Sequence, residues 1–406
     1  MTRSTTFGPL AHRMFALLMA GVLLTNLGNS VQAVGASWQL TAMGEPADIV
    51  ALVQTALNLP ILLLALPAGA WADMHDRRRV VLGAQGFMLA LSLLLAALAL
   101  SGAAPAWAIV ALTAFLACGI ATFSPAMGAS IRGTVPKAEL AAAVALNILI
   151  FNTARAAGPA LGGAIVAAGG AGTAFVVNAA CYALAIALYL RWKPEPQPPR
   201  EPRPLTAMVA EGLRHAFASK PIRAIFVRAF AFTASGAAAW ALMPLVAARL
   251  LDAGPSTYGL LLGALGLGAV IGAASATTIR QRFGAETITR GAGVLYGLAI
   301  VAVSLRPGLA ATLALLVIGG AGWVQALSGF SVAAQLWAPQ DVVGRVVALA
   351  SAVTFGGLAT GSWLWGHYAE SVGVAGALLA SGAAMVALPL LGLLVPMPDH
   401  RPPADA

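Results

Sequence analysis

Charge is scarce in this sequence, and acidic charge is scarcest. Aspartate and glutamate supply 14 of 406 residues, and charged residues of both signs reach only 9%. A water-soluble chain of this length needs a solvated shell that such a composition cannot provide. Cysteine is almost missing. Cys118 and Cys181 are the only two, which excludes a disulfide framework and leaves no metal-binding or redox pair. Both fall in apolar runs, where a lone thiol acts as a small packing residue. Also missing are a nucleophile–base constellation, a phosphate-cradling glycine loop and any cluster of metal ligands. The residues therefore argue against an enzyme, and no cofactor or metal is expected.

What is present is hydrocarbon. Sixty per cent of the residues are hydrophobic and the mean hydropathy is +0.86, so the solvent of most of the surface must be lipid. Apolar runs long enough to cross about 30 Å of bilayer as helix recur twelve times. They lie at 14–38, 49–71, 80–101, 106–127, 140–168, 172–190, 222–250, 258–279, 287–305, 309–330, 343–368 and 374–394. Abundant glycine and alanine suit close helix packing in lipid. The fold class expected is an all-α membrane protein.

The basic residues set its orientation. With both termini in the cytoplasm, 20 of the 23 Lys and Arg residues fall on the inner side, Arg249 and Arg306 on the outer side, and Arg155 inside a span. That is the positive-inside distribution of a multi-pass inner-membrane (plasma-membrane) protein. The net charge of +9 is thus accounted for by topology, with no nucleic-acid partner; the lipid bilayer is the partner, and a monomer is expected. A basic start followed by an apolar stretch and Val31-Gln32-Ala33 imitates a cleavable signal. Removing it would leave an odd number of spans and reverse the charge of every loop.

Proline-rich sequence from Arg191 to Pro204 interrupts the chain at its middle and forbids helix there. Leu205, Met208, Val209, Leu213, Ala216 and Phe217 then recur at helical spacing, as in a short amphipathic helix lying on the membrane face. The chain divides into a first six-helix bundle at 1–190, this linker at 191–221 and a second six-helix bundle at 222–406. A shift of 203 residues places Gly69 on Gly272, Arg77 on Arg280, Arg79 on Arg282, Pro136 on Pro339, Gly158 on Gly361 and Gly163 on Gly366. Internal repeats of this kind build alternating-access carriers, with the substrate between the halves near mid-membrane.

The densest charge sits in Gly69-Ala-Trp-Ala-Asp73-Met-His-Asp76-Arg77-Arg78-Arg79, between the second and third spans. Its G-x-x-x-D-x-x-x-R-R spacing resembles the signature loop of the major facilitator superfamily of secondary transporters, with Asp76 where that pattern usually has a second glycine. Phe123-Ser-Pro-Ala126, Val135-Pro-Lys-Ala-Glu-Leu140, Ala154-Arg155-Ala-Ala-Gly158-Pro159-Ala-Leu-Gly162-Gly163 and Ala338–Val346 are similar to the branch called transmembrane secretion effectors, which includes enterobactin exporters. Two features depart from drug antiporters of the superfamily. Phe115 stands four residues before Gly119, where those often carry arginine, and the Gly158–Gly163 motif lacks an upstream glycine ladder.

The resemblance implies two pseudo-symmetric six-helix bundles that export an amphipathic small organic molecule by alternating access. A siderophore, a drug-like compound or another metabolite would fit, and a proton gradient is admissible as the energy source. An importer or lipid flippase on the same fold is the first rival, and a transport-inactive sensor or scaffold the second. The resemblance also suggests that Asp73 docks at the start of the eleventh span, around Gly344 and Arg345. Arg77 would reinforce this latch, while Arg78 and Arg79 serve at least the topology.

All fourteen acidic residues fall in loops, tails or span ends, so no carboxylate is placed to bind protons deep in the membrane. Amides are better placed. Asn26, Asn29 and Gln32 recur on one face of span one, and Gln54 and Asn58 are neighbours on span two. Asn147 and Asn152 lie in span five and Gln325 in span ten. Each must face a cavity or a neighbouring helix. Trp240 and Phe355 are candidates for an apolar lining. Arg155, the only full charge deep in a span, is expected to face the bundle interior. There it would bind an anionic group of the substrate or lock helix five against a neighbour, with Asn152 as the nearest local partner.

Overall fold

The computed structural model describes residues 7–193, 214, 218–339 and 342–398, without the side chains of residues 65, 66, 70, 72, 73 and 132. The linker and its amphipathic segment fall almost wholly outside these residues. The described chain is all helix, without a strand. Its long helices are α1 (Arg13–Ala42), α2 (Ala47–Met74), α3 (Arg77–Leu100), α4 (Ala106–Ser130), α5 (Leu140–Leu190), α6 (Lys220–Gly236), α7 (Pro255–Arg282), α8 (Ala285–Ser304), α9 (Leu309–Trp337) and α10 (Val343–Ala387).

Nine helices among the described residues are long and apolar enough to cross a membrane, and two of them reverse direction. In α5, Gly158 packs against Ser30 and Gly162 against Val34, so this limb runs parallel to α1. Beyond Gly170 the order inverts: Gly35 meets Phe175, Gly28 meets Asn178 and Gly21 meets Tyr189. The reversal occurs at Gly170, whose φ of 76° strains any residue with a Cβ. In α10 the same φ of 76° appears at Gly373. These two hinges are themselves 203 residues apart, the offset of the sequence repeat. With α6 and its continuation, the arrangement is consistent with twelve crossings.

The expected uninterrupted helix at 222–250 is broken. After Gly236 the chain continues as Ala238–Ala241, Met243–Leu245 and a π turn over Val246–Leu250. Two causes act together, one local and one distant in the chain. Pro244 has no N–H to give to the Trp240 carbonyl. A Cβ at Gly236 would come within 2.6 Å of the Trp323 ring, so the helix presses its backbone onto that indole.

Each half has its own core. In the first, His12 pairs with Glu139 at 3.1 Å, tying the start of α1 to the start of α5. In the second, Phe232, Tyr296 and Trp323 stack with centroids 5.0–6.4 Å apart. Sequence reasoning had placed Arg228 simply among the inner-side basic residues. It is buried, and it donates to Glu286 at 3.2 Å. Arg290 Nε donates to the same carboxylate oxygen at 2.6 Å, and the backbone N–H of Met397 to the other at 2.7 Å.

The halves meet at the end opposite the Gly69–Arg79 loop. A Cβ at Gly163 would lie 2.6 Å from the Pro255 carbonyl oxygen and 2.8 Å from Gly259 Cα; one at Gly366 would lie 2.4 Å from Ala51 Cβ. Small residues here let backbones touch across the seam. Thr55 donates to the Ala359 carbonyl at 3.0 Å, Arg249 to the Glu45 carbonyl at 3.3 Å, and the Ala47 N–H to the Glu370 carboxylate. Trp38 stacks on Tyr258 at 6.3 Å. At the loop end the pattern is the reverse: Gly69, Gly128, Gly133, Gly329 and Gly344 have open space where a Cβ would go. The structure is closed on one face and parted on the other.

Candidate functional site

The signature loop is built by a helix end and a helix start. Asp73 falls in the last turn of α2; its side chain lies outside the described residues, so its contacts are not described. Asp76 caps α3, its carboxylate accepting from the Arg79 N–H at 2.8 Å. The departure from glycine at this position thus supplies an N-cap. Arg77 donates to the Ala129 carbonyl at 2.9 Å and Arg78 to the Leu190 carbonyl at 2.6 Å. Both acceptors lie in the last turn of their helices, where the dipole favours a cation. The two arginines therefore clamp α3 to the ends of α4 and α5 as well as marking topology. Gly344 and Arg345 occupy the first turn of α10.

The motif in α5 divides its labour. Gly158 and Gly162, four residues apart, seat α5 on α1, whereas Gly163 faces the other half. Pro159 cannot donate to the Arg155 carbonyl. That freed oxygen lies 3.2 Å from where a Cβ of Gly266 on α7 would stand. Proline and glycine together bring the two halves together at this level.

The amides separate into groups. Gln32 donates to Thr113 at 3.0 Å within the first half, and Gln325 to the Gly272 carbonyl at 2.8 Å and Ser275 at 3.1 Å within the second. Both are buried bolts between helices of one bundle. Asn29 accepts from Tyr182 at 2.5 Å and does the same work. Asn26, Asn58 and Asn152 donate to the carbonyl four residues back at 2.6–3.0 Å, and among the described residues nothing donates to their amide oxygens. Gln54, Asn147 and Phe355 are half-buried.

Arg155 does not use Asn152. Its guanidinium carbon lies 5.0 Å from the centroid of Trp240, which belongs to the other half. Trp240 sits in the Ala238–Ala241 turn created by the break after α6, and its ring is 6.0 Å from that of Trp323. Among the described residues no group of three or more histidines, cysteines or acids is placed to hold a metal ion. Sequence reasoning missed the bond from Ala47 to Glu370 and the burial of Arg228. The partners are far apart in the chain, and neither carries a motif.

The sequence model of the transmembrane secretion effector family matches residues 4–404. The multidrug efflux pump Tap of Mycolicibacterium fortuitum is 28% identical, the alignment covering 97% of each chain. Tap of Mycobacterium tuberculosis is 26% identical over 99% of this chain and 98% of its own. The staphyloferrin A transporter of Staphylococcus aureus is 25% identical over 68% of this chain and 70% of its own. Among solved structures, the nucleoside transporter NupG superposes with a TM-score of 0.80 at 11% identity, covering 94% of this chain and 99% of its own. A bacterial homologue of the human lysosomal transporter Spinster gives 0.71 at 15% identity, covering 95% of each chain. At those identities the two structures establish the fold.

Proposed function

Because the chain belongs to the transmembrane secretion effector family of major facilitator transporters, a family of membrane carriers and not of enzymes, we propose that it exports an amphipathic small organic molecule by alternating access. The observation that carries this reading is the uneven seam. The halves interlock through Gly163, Gly259 and Gly366 on one face, while Gly69, Gly128, Gly133, Gly329 and Gly344 on the signature-loop side have open space where a Cβ would go. One rigid pairing with two ends, only one of which can be closed at a time, is the mechanical requirement of the cycle.

The positive-inside distribution supports a cytoplasmic signature loop and cytoplasmic termini, and on that orientation this state loads from the cytoplasm. The efflux pumps among its relatives support export as the direction. Closing the loop face would bring Asp73 to the first turn of α10, whose N–H groups favour a carboxylate by about 0.3–1 kcal/mol. Export against a gradient needs an energy source, for which a proton gradient is proposed.

Inside-out membrane vesicles test this. Energised vesicles containing the protein should accumulate dyes from a panel of neutral and anionic amphipathic fluorophores, and a protonophore should stop them. Asp73→Asn should lose accumulation at an unchanged membrane level. Accumulation only in right-side-out vesicles would make the protein an importer, and none in either orientation would remove the transport reading.

A further inference from the structure

The arginine in the seam carries an inference about what is transported. Arg155 lies at the inner limit of the closed contacts, where its own carbonyl approaches Gly266 and the halves begin to part. An arginine at mid-span is costly against hydrocarbon, so it must face something polar. Among the described residues no carboxylate and no hydrogen-bond acceptor takes its donors; the only partner is the Trp240 ring, 5.0 Å away. An indole ring offsets part of the charge of a guanidinium but accepts none of its N–H groups in the way an oxyanion does, which leaves them available to a bidentate acceptor.

The tryptophan is held for this contact. Trp240 packs on Trp323, which stacks in turn on Phe232 and Tyr296. The indole nitrogens of both Trp240 and Trp323 are buried without a hydrogen-bond partner among the described residues. Trp323 itself is 1% exposed. Two unused indole donors and an unused guanidinium fork in one neighbourhood form a set of donors with no acceptor.

We propose that Arg155 and Trp240 form the binding site for an organic anion, the acidic group taken by the guanidinium fork and the apolar body laid beside the indole. This rests on the transport reading and narrows its substrate class to amphipathic carboxylates and related oxyanions. The site spans both halves, since Arg155 belongs to the first and Trp240 to the second. Rocking them apart on the closed face pulls the ring from the guanidinium and opens the site to release.

Equilibrium binding to the full-length protein in nanodiscs tests the proposal without requiring transport. The probes are 1-pyrenebutyrate and its uncharged counterpart 1-pyrenebutanol, read by energy transfer from tryptophan. Wild type should prefer the acid by about tenfold or more, as expected of a charge-assisted bond. Arg155→Gln should erase the preference and leave pyrenebutanol affinity unchanged, which also reports that the variant is folded. Arg155→Lys, with the charge but no fork, should keep only part of it. Trp240→Leu should weaken both probes alike. Equal affinity of the two probes for wild type overturns the site without any variant, as does a preference that survives in Arg155→Gln. Efflux of neutral dyes with no acid preference sinks this inference alone, whereas acid preference without vesicle transport sinks the efflux reading alone.

Discussion

Glu370 provides the sharpest test of the closed face. It stands near the end of the first limb of α10, and its carboxylate accepts the N–H of Ala47, the first residue of α2. That donor has no intrahelical partner, and the N-cap, Pro46, has no side-chain acceptor to offer it. Asp48 is committed to the Ile49 N–H at 2.7 Å. The start of α2 in one half is therefore capped by a residue of the other half, and the bond exists only while this face is closed. A buried charge-assisted bond contributes about 1.5–3 kcal/mol. Glu370 is exposed, so water screens it, and about 1 kcal/mol is the reasonable figure with the helix dipole included.

Removing that contribution from one state alone moves the equilibrium about fivefold toward opening. Nitroxides at Met43→Cys and Leu305→Cys, both exposed and on opposite halves, report this by double electron–electron resonance in a background without Cys118 and Cys181. Glu370→Ala should enlarge the long-distance population about fivefold where it is minor, and Glu370→Gln, which retains an acceptor, by less. Glu45→Ala serves as a control, because only its backbone carbonyl is used, by Arg249. An unchanged distance distribution in Glu370→Ala would refute the idea that this cap holds the face closed.

Three further outcomes follow from the same geometry. Gly366→Val would set a side chain against Ala51 Cβ and the Asp48 backbone, an overpacking cost of about 1–3 kcal/mol; the same spin labels should show this face open and transport should fall. Gly69→Val meets only open space in this state, so thermal unfolding should be unchanged. If that space closes during the cycle, vesicle transport should nevertheless be lost. Glu286→Gln leaves buried Arg228 without its counter-charge and weakens the hold on the Met397 backbone. Breaking such a pair costs up to about 3–5 kcal/mol, and a thiol-reactive melting assay should show a drop of several degrees.

The sequence made the architecture legible because membrane spans are announced by length and apolarity. The offset of 203 residues even extends to the two hinge glycines, Gly170 and Gly373, which were not used to find it. Side-chain roles were much less legible. Only 33–56% of each apolar window is buried within the protein, and lipid covers most of the rest, so both faces of a helix are apolar and periodicity does not reveal which one packs. That is why the sequence left Gln32 and Gln325 open between a cavity and a neighbouring helix, whereas each bolts two helices of one bundle together. It is also why Arg155 was paired in expectation with Asn152. A local spacing rule finds neighbours on one helix and cannot find Trp240 across the seam. The break that places Trp240 there depends on Gly236 meeting Trp323, a contact 87 positions away in the chain.

The repeat also sharpens what asymmetry must mean in this molecule. Its packing is shared between the halves: Gly163 on Gly259 in one pairing is answered by Gly366 on Ala51 in the other. Its charge is not. The register that sets Gly158 on Gly361 sets Arg155 on Leu358. Equivalent seams allow the halves to rock about a common axis, since each offers a backbone-close contact of similar size. A single cation off that axis gives the two halves different work. The first half carries the fork and the second carries the ring, so a ligand held between them is sensitive to their separation. A carrier with matching charges on both halves could hold its cargo equally well with either half displaced; with the proposed site, this one could not.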